Sequence, residues 1–252
     1  MRAGVLVLTA SFLLPLAAHA TDAQGALANA RRQVESADYR MSGRMVRVDG
    51  SGARTSYGVT IKAHEFPGVL RVLLEVRSPS AARVNVLLEM RPEGKSTIQI
   101  AHPGDATAPA LPFDKWNDGP LGEAFSYEDF LDAQYFWAGQ SDMGETKFGV
   151  RTCALLRSTP GAADKTHFAA VKSWLDRKSG FPVYVEKTLK GSGDVKEFTY
   201  FGLRQTRGVW WANQVEAKIR GRAGSTLLII ERGTPEAHLG LKDFSPIQLT
   251  HF

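Results

Sequence analysis

The chain has 252 residues, 43% of them hydrophobic, and a formal net charge of +5 at pH 7. This composition is sufficient for a sizeable apolar core, and because the lysines and arginines are scattered, the charge does not favour a nucleic-acid-binding surface. The single cysteine, Cys153, excludes an internal disulfide, and its apolar neighbours Val150, Ala154 and Leu155 indicate a small core residue rather than a nucleophile. The fold must therefore depend on its core.

The N-terminal segment has the pattern of a secretory leader. Arg2 precedes an apolar run over residues 4–16, and the small residues Ala18 and Ala20 have the spacing that a signal peptidase accepts. We expect cleavage after Ala20, so that residues 21–252 form the mature chain as a single domain. The apolar run is too short to span a membrane comfortably, and no cysteine follows the cleavage site to carry a lipid.

A helix is predicted at the start of the mature chain. Asp22 can begin it, and it runs to about Ser36. Its apolar positions have helical spacing: Ala23, Ala26, Leu27, Ala30 and Val34.

The hydrophobic period then changes to two, which is typical of strands. Polar turns divide residues 40–101 into five strands connected by hairpins. The run over residues 69–76 is apolar at most positions of both faces, so we expect this strand to be covered on both sides.

A long connection follows, rich in Pro, Gly and Asp, over residues 102–122. It ends at a helix start, where Ser126 can cap the helix and Asp129 can reach back to it. Phe125 can pack on Phe130 as a hydrophobic staple. We therefore predict a short helix here.

Six more strands are predicted in the second half of the chain. They cover residues 148–157, 166–176, 183–190, 195–206, 209–220 and 225–231, and a loose tail follows from Thr234. The total is about eleven antiparallel strands. Because strands twist, a sheet of this size closes into a barrel or curls around a cavity.

The sequence contains no recognisable catalytic constellation. The histidines at positions 64, 102, 167, 238 and 251 lack metal-binding spacing, and there is no nucleophile elbow, phosphate loop or dinucleotide motif. We expect neither a metal nor a cofactor. Glu128, Asp129 and Asp132 could act as acid and base, but two of them lie in the first turn of the predicted helix, where the dipole favours anions. An enzyme is the weaker interpretation.

The aromatic content and the strands that are apolar on both faces favour a mostly apolar concavity between a curved sheet and a lid, as a site for acyl chains requires. The segment Trp174-Leu175-Asp176, a four-residue turn, Phe181-Pro182 and the strands from Lys196 to Ile230 resemble the second half of the LolA-like outer-membrane lipoprotein-sorting proteins. The segment from Phe125 to Phe130 resembles the FSYED-type segment of longer members of that family.

This resemblance implies a mainly β fold, in which one incomplete antiparallel barrel of about eleven strands wraps over short helices that act as a lid. It also implies a periplasmic, non-catalytic carrier that binds the acyl chains of lipoproteins or lipids and moves them toward the outer membrane. Such a carrier is expected to be a monomer that meets an inner-membrane transporter and an outer-membrane acceptor. The candidate cavity residues are Val59, Ile61, Val72, Leu74, Val84, Val86, Leu88, Trp174, Tyr200, Trp211, Leu227 and Ile229, with Phe125, Tyr127, Phe130 and Leu131 in the lid.

Two alternatives remain open. A periplasmic interaction module without lipid cargo could dock on acidic partners of an envelope complex through Arg44, Arg71, Arg83 and Arg91. A cavity hydrolase would instead need paired acid and base groups around residues 127–129.

Overall fold

The computed structural model describes residues 20–91, 95–119, 121 and 124–252. The expected signal peptide lies outside these ranges except for its last residue, Ala20. The described chain forms one antiparallel sheet of twelve strands. Its strands are β1 Asp38–Val48, β2 Arg54–Phe66, β3 Val69–Ser78, β4 Val84–Met90, β5 Thr97–Ala101, β6 Gly139–Phe148, β7 Arg151–Thr159, β8 Phe168–Asp176, β9 Pro182–Leu189, β10 Val195–Thr206, β11 Val209–Ile219 and β12 Ser225–Pro235, and its helices are α1 Ala20–Glu35 and α2 Pro246–Thr250.

The strands follow the order β5-β4-β3-β2-β1-β12-β11-β10-β9-β8-β7-β6. Every neighbour is also a sequence neighbour except at the β1–β12 pair, which joins the two halves of the chain. At this seam Gly43 lies at a bulge, and a Cβ there would be 1.9 Å from the carbonyl oxygen of Ile229, so only glycine fits. Because β5 and β6 remain as edges, the sheet is an incomplete barrel, as predicted.

The strand missing from the prediction is β6. Its sequence, GQSDMGETKF, has no apolar alternation, and most of its side chains are exposed. A strand at the edge of the sheet needs no apolar face to be held by its neighbour β7, and period-two hydrophobicity therefore could not detect it.

The predicted first helix is present, with a different start. It extends from Ala20, so Asp22 lies inside it rather than at its first residue. The helix packs near β7, where Ala30 joins a small buried cluster with Tyr135, Leu156 and Leu175.

The prediction that β3 is covered on both faces is confirmed. On the inner face, Val72 and Leu74 belong to the main core of the barrel. On the outer face, Leu73 packs in a second buried cluster with Leu87, Phe244 and Leu249.

The segment after β12 supplies this outer cover, so the prediction of a loose tail is wrong. It forms a 3-10 helix over Leu241–Phe244 and then α2. The side-chain amide of Asn85 donates to the carbonyl oxygens of Leu249, at 2.8 Å, and of His251, at 3.1 Å. The hydrophobicity of this tail is too sparse to show a period, but two of its apolar side chains are buried against the sheet.

The connection between β5 and β6 returns to the interior of the barrel. Ala110 pairs with Gln99 of β5, and the indole of Trp116 is almost completely buried in the main core. The predicted helix forms as a 3-10 helix over Tyr127–Phe130, in which Asp129 accepts hydrogen bonds from the amide and the hydroxyl of Ser126. The predicted staple is present, with the rings of Phe125 and Phe130 4.8 Å apart.

Candidate functional site

A cavity of about 240 Å³ lies on the concave side of the sheet. The inner faces of β1–β3 and β10–β12 form one wall, and α1 with residues 125–135 forms the other. Most of its lining is apolar or aromatic, including Val34 of α1 and Leu228 and Ile230 of β12. The cavity is therefore suited to hydrocarbon.

The structure brings several predicted residues to this cavity. Four strand residues line it, namely Ile61, Val72, Tyr200 and Trp211, and so do Phe125, Phe130 and Leu131 of the predicted lid. Five other predicted strand residues, Val59, Leu74, Val84, Val86 and Leu88, lie in the surrounding core. Tyr127 lies there too and belongs to the lid segment, residues 125–131. Period-two patterning identifies the inner face of a strand, but not which part of that face is filled by other side chains.

Three predicted residues lie elsewhere. Trp174 packs edge-on against Tyr184, with ring centres 4.9 Å apart, and is not among the lining residues. In β12, Leu228 and Ile230 line the cavity, and Leu227 and Ile229 alternate with them on the opposite face. Four consecutive apolar residues give no signal for the inward face.

A buried ionic cluster anchors the lid segment to the barrel. The carboxylate of Asp129 lies 3.1 Å from the ammonium of Lys187 and 3.0 Å from that of Lys196, and all three side chains are at most 2% exposed. Lys196 also donates to the Ser126 hydroxyl at 2.9 Å. Burial alone raises the pKa of Asp129, but the two ammonium groups and the Ser126 hydrogen bonds lower it to about 2.

The two lysines would repel each other without this carboxylate, because they are directly paired across β9 and β10. The Phe198 ring lies 4.8 Å from the Lys187 ammonium and the Phe168 ring lies 5.9 Å from that of Lys196, which offsets part of the remaining positive charge. The sequence patterns did not lead to a prediction of this cluster. The pattern of β9 does indicate that Lys187 faces inward, because it lies on the same face of the strand as the buried Val183 and Val185.

Glu128 and Asp132, the other two candidate acid and base residues, have different surroundings. Glu128 accepts hydrogen bonds from the Thr166 hydroxyl, from the His167 amide at 3.1 Å and from the His167 ring at 3.0 Å. Phe113 stacks on the same ring at 4.1 Å. These contacts hold the lid segment to the start of β8, and Glu128 is not in the cavity lining. Asp132 does line the cavity.

The polar part of the lining is acidic, consisting chiefly of Asp38, Asp129, Asp132 and Glu236. Asp38 accepts hydrogen bonds from the amides of His238, at 3.0 Å, and Leu239, at 3.1 Å, and pairs with His64 at 3.2 Å. Burial opposes ionisation of Asp38, but these contacts lower its pKa. Glu236 pairs with Arg207 at 3.0 Å.

The arginines considered for docking all have intramolecular contacts. Arg44 pairs with Glu231 at 2.8 Å, and Arg71 and Arg91 share Glu89 at 2.8 and 3.4 Å. Arg83 lies over the Phe252 ring at 5.5 Å. Within the described ranges, no group of three or more His, Cys, Asp or Glu is placed to hold a metal, and no helix has the length and apolar character needed to cross a bilayer.

The chain forms an incomplete antiparallel barrel with an apolar cavity on its concave side, and solved structures share the fold. A protein domain from Vibrio parahaemolyticus described as outer membrane lipoprotein-sorting matches with a TM-score of 0.79 and 18% identity, over 91% of this chain and 100% of that one. A DUF1329 family protein from Desulfovibrio piger has a TM-score of 0.79 and 14% identity, over 90% and 99% of the two chains. A LolA superfamily protein from Nitrosomonas europaea has a TM-score of 0.66 and 14% identity, over 91% and 100%.

These likenesses confirm the predicted LolA-like fold. A family model described only as an uncharacterized protein matches residues 115–251, more than half of the chain, and the chain therefore belongs to that family. No curated protein matches the sequence significantly.

Proposed function

We propose that the protein is a periplasmic, non-catalytic carrier that binds acyl chains of lipoproteins or lipids in the cavity and moves them toward the outer membrane. In this proposal the signal peptide is removed after Ala20, and residues 21–252 act as one monomeric lipid-binding domain. The domain would receive its cargo from an inner-membrane transporter and deliver it to an outer-membrane acceptor.

The observation that carries the proposal is the apolar cavity. Burying each methylene of a chain there contributes about 0.8 kcal/mol, so hydrocarbon binds without any specific polar contact. The volume of about 240 Å³ is slightly below the ~300–1,000 Å³ of typical small-molecule sites. A cavity of this volume would thus take part of one chain, and a larger cargo would require α1 and the lid segment to move outward.

The comparisons support the same function at the level of the fold. The Vibrio protein is described by its role in lipoprotein sorting, and a shared fold alone does not carry that role to this chain. The apolar cavity of this chain provides the separate support.

A matched pair of variants tests the proposal. Ile230→Trp places a larger side chain in the cavity, and Ile229→Trp makes the same change on the opposite face of β12. The fluorescent apolar probe 1-N-phenylnaphthylamine should bind the wild type and Ile229→Trp, and binding should be lost in Ile230→Trp. Equal binding by both variants would disprove the proposed site. Absence of binding by a folded wild type would favour the interaction module.

A further inference from the structure

One part of the cavity lining is polar, and it contains a carboxylate that forms no ion pair. The cavity lining includes four carboxylates and no Lys, Arg or His among the described residues. Asp129 and Glu236 have the lysine and arginine partners given above, and Asp38 pairs with the ring of His64. Asp132 pairs with no Lys, Arg or His side chain within the described chain, and its carboxylate accepts only from the Gln134 side-chain amide, at 3.1 Å.

The backbone holds Asp132 at this place. It lies between the 3-10 helices Tyr127–Phe130 and Ala133–Phe136 and has a positive φ of 45°. Asp and Asn are the non-glycine residues that adopt this conformation most readily. An Asn at this position can therefore keep the turn while it removes the charge.

Three tyrosines line the same cavity, namely Tyr39, Tyr135 and Tyr200. Neither the Tyr39 hydroxyl nor the Tyr200 hydroxyl has a hydrogen-bond partner within the described part of the protein. Burial, and next the negative charge of Asp132, raise the pKa of both phenols. Both hydroxyls are therefore protonated at neutral pH and can donate hydrogen bonds into the cavity.

The net charge of the buried ionic cluster and the charge of Asp132 offset each other. The cluster of Asp129 with Lys187 and Lys196 has a net charge of one positive unit, and Asp132 supplies one negative unit. The lysines are sequestered behind Asp129 and do not line the cavity. A charged ligand group would disturb this balance, and an anion would in addition face Asp132.

We propose that Asp132, Tyr39 and Tyr200 bind the hydroxyl group of an uncharged lipid, such as an alcohol or a glyceride, while its hydrocarbon fills the apolar part of the cavity. The ligand hydroxyl donates to the Asp132 carboxylate and accepts from a tyrosine. This assignment rests on the proposed carrier function and adds the class of polar group that the cargo presents.

Displacement of bound 1-N-phenylnaphthylamine by three ligands with the same chain tests the assignment. At neutral pH, dodecanol should displace the probe at a concentration roughly tenfold below those of dodecanoate and dodecylamine. Equal or stronger displacement by dodecanoate overturns the proposal, and stronger displacement by dodecylamine overturns it in favour of a cation site. If the probe binds but none of the three ligands displaces it, the hydroxyl assignment is also wrong; if the probe itself does not bind, the carrier function fails first.

Two variants assign the preference to these side chains. Asp132→Asn should reduce the advantage of dodecanol over dodecanoate by roughly tenfold, and Tyr200→Phe should weaken dodecanol binding with little effect on dodecanoate. Asp114→Asn, which changes an exposed carboxylate outside the cavity, is the matched control. An unchanged ligand preference in both folded cavity variants would overturn the assignment.

Discussion

The ammonium of Lys196 lies 3.0 Å from the carboxylate of Asp129, and both side chains are almost completely withdrawn from solvent. This pair joins β10 to the 3-10 turn that closes the cavity, 67 residues earlier in the chain. Because Asp129 also lines the cavity, the same contact stabilises the fold and fixes one wall of the site.

Removal of the Asp129 charge should strongly destabilise the protein. Asp129→Asn leaves two buried ammonium groups without their counterion, and loss of one partner from such a cluster costs about 3–5 kcal/mol. Urea denaturation should show this decrease in the free energy of unfolding. Asp114→Asn, at an exposed position, should change it by less than about 0.5 kcal/mol, and similar effects of the two variants would contradict the role given to Asp129.

Acid should weaken the same cluster. The folded-state pKa of Asp129 is about 2, against an ordinary value of 3.8, so its contribution is complete above the ordinary value and is lost as the pH falls toward about 2. The difference between these two pKa values corresponds to about 2 kcal/mol of the free energy of unfolding. The free energy of unfolding should therefore fall more steeply with acid in the wild type than in Asp129→Asn, and parallel pH profiles would contradict the prediction.

The C-terminal segment should contribute to stability through its buried side chain. Leu249 is 1% exposed and Ile247, in the same short helix, is 80% exposed. Leu249→Ala should lower the free energy of unfolding by about 2–4 kcal/mol, and Ile247→Ala should change it by less than about 0.5 kcal/mol. Urea denaturation of both variants measures this difference. Equal decreases in the free energy of unfolding would contradict the packing of Leu249 against the sheet.

Trp174 and Trp211 should differ in their effects on binding. Trp174 packs against Tyr184 away from the cavity, so Trp174→Ala should lower stability through loss of this aromatic pair, by at least about 0.5–1.5 kcal/mol. It should leave the affinity for 1-N-phenylnaphthylamine unchanged. Trp211→Ala removes part of the cavity lining and should weaken that affinity. Probe titrations of both variants separate the two roles, and a loss of affinity in Trp174→Ala would contradict the placement.

The sequence predicts the larger elements well because their hydrophobic period is strong. The limits of β10, Val195–Thr206, agree with the prediction at both ends, and the staple between Phe125 and Phe130 forms as expected. Exposed β6 has no such period. The cavity requires more information than a strand pattern holds, because Val72 and Leu74 share an inward face but only Val72 reaches the open space.

The pairing of buried lysines with a distant carboxylate was the main feature that strand patterns did not reveal. Lys187 and Lys196 occupy inward positions that the pattern reserves for apolar residues, and their counterion comes from a distant turn. The sequence around Asp129 predicts only its local role in capping the helix through Ser126. Nothing in that segment indicates that Asp129 also pairs with Lys187 and Lys196.

Extraction and mass spectrometry of lipid from the purified protein test the central claim most directly. The chain would be expressed with its N-terminal segment in a Gram-negative host and purified from the periplasm without detergent. We predict that the wild type and Ile229→Trp carry acyl lipid in a reproducible ratio to protein and that Ile230→Trp carries almost none. Absence of lipid from all three folded proteins, or equal loading of the two variants, would contradict the account.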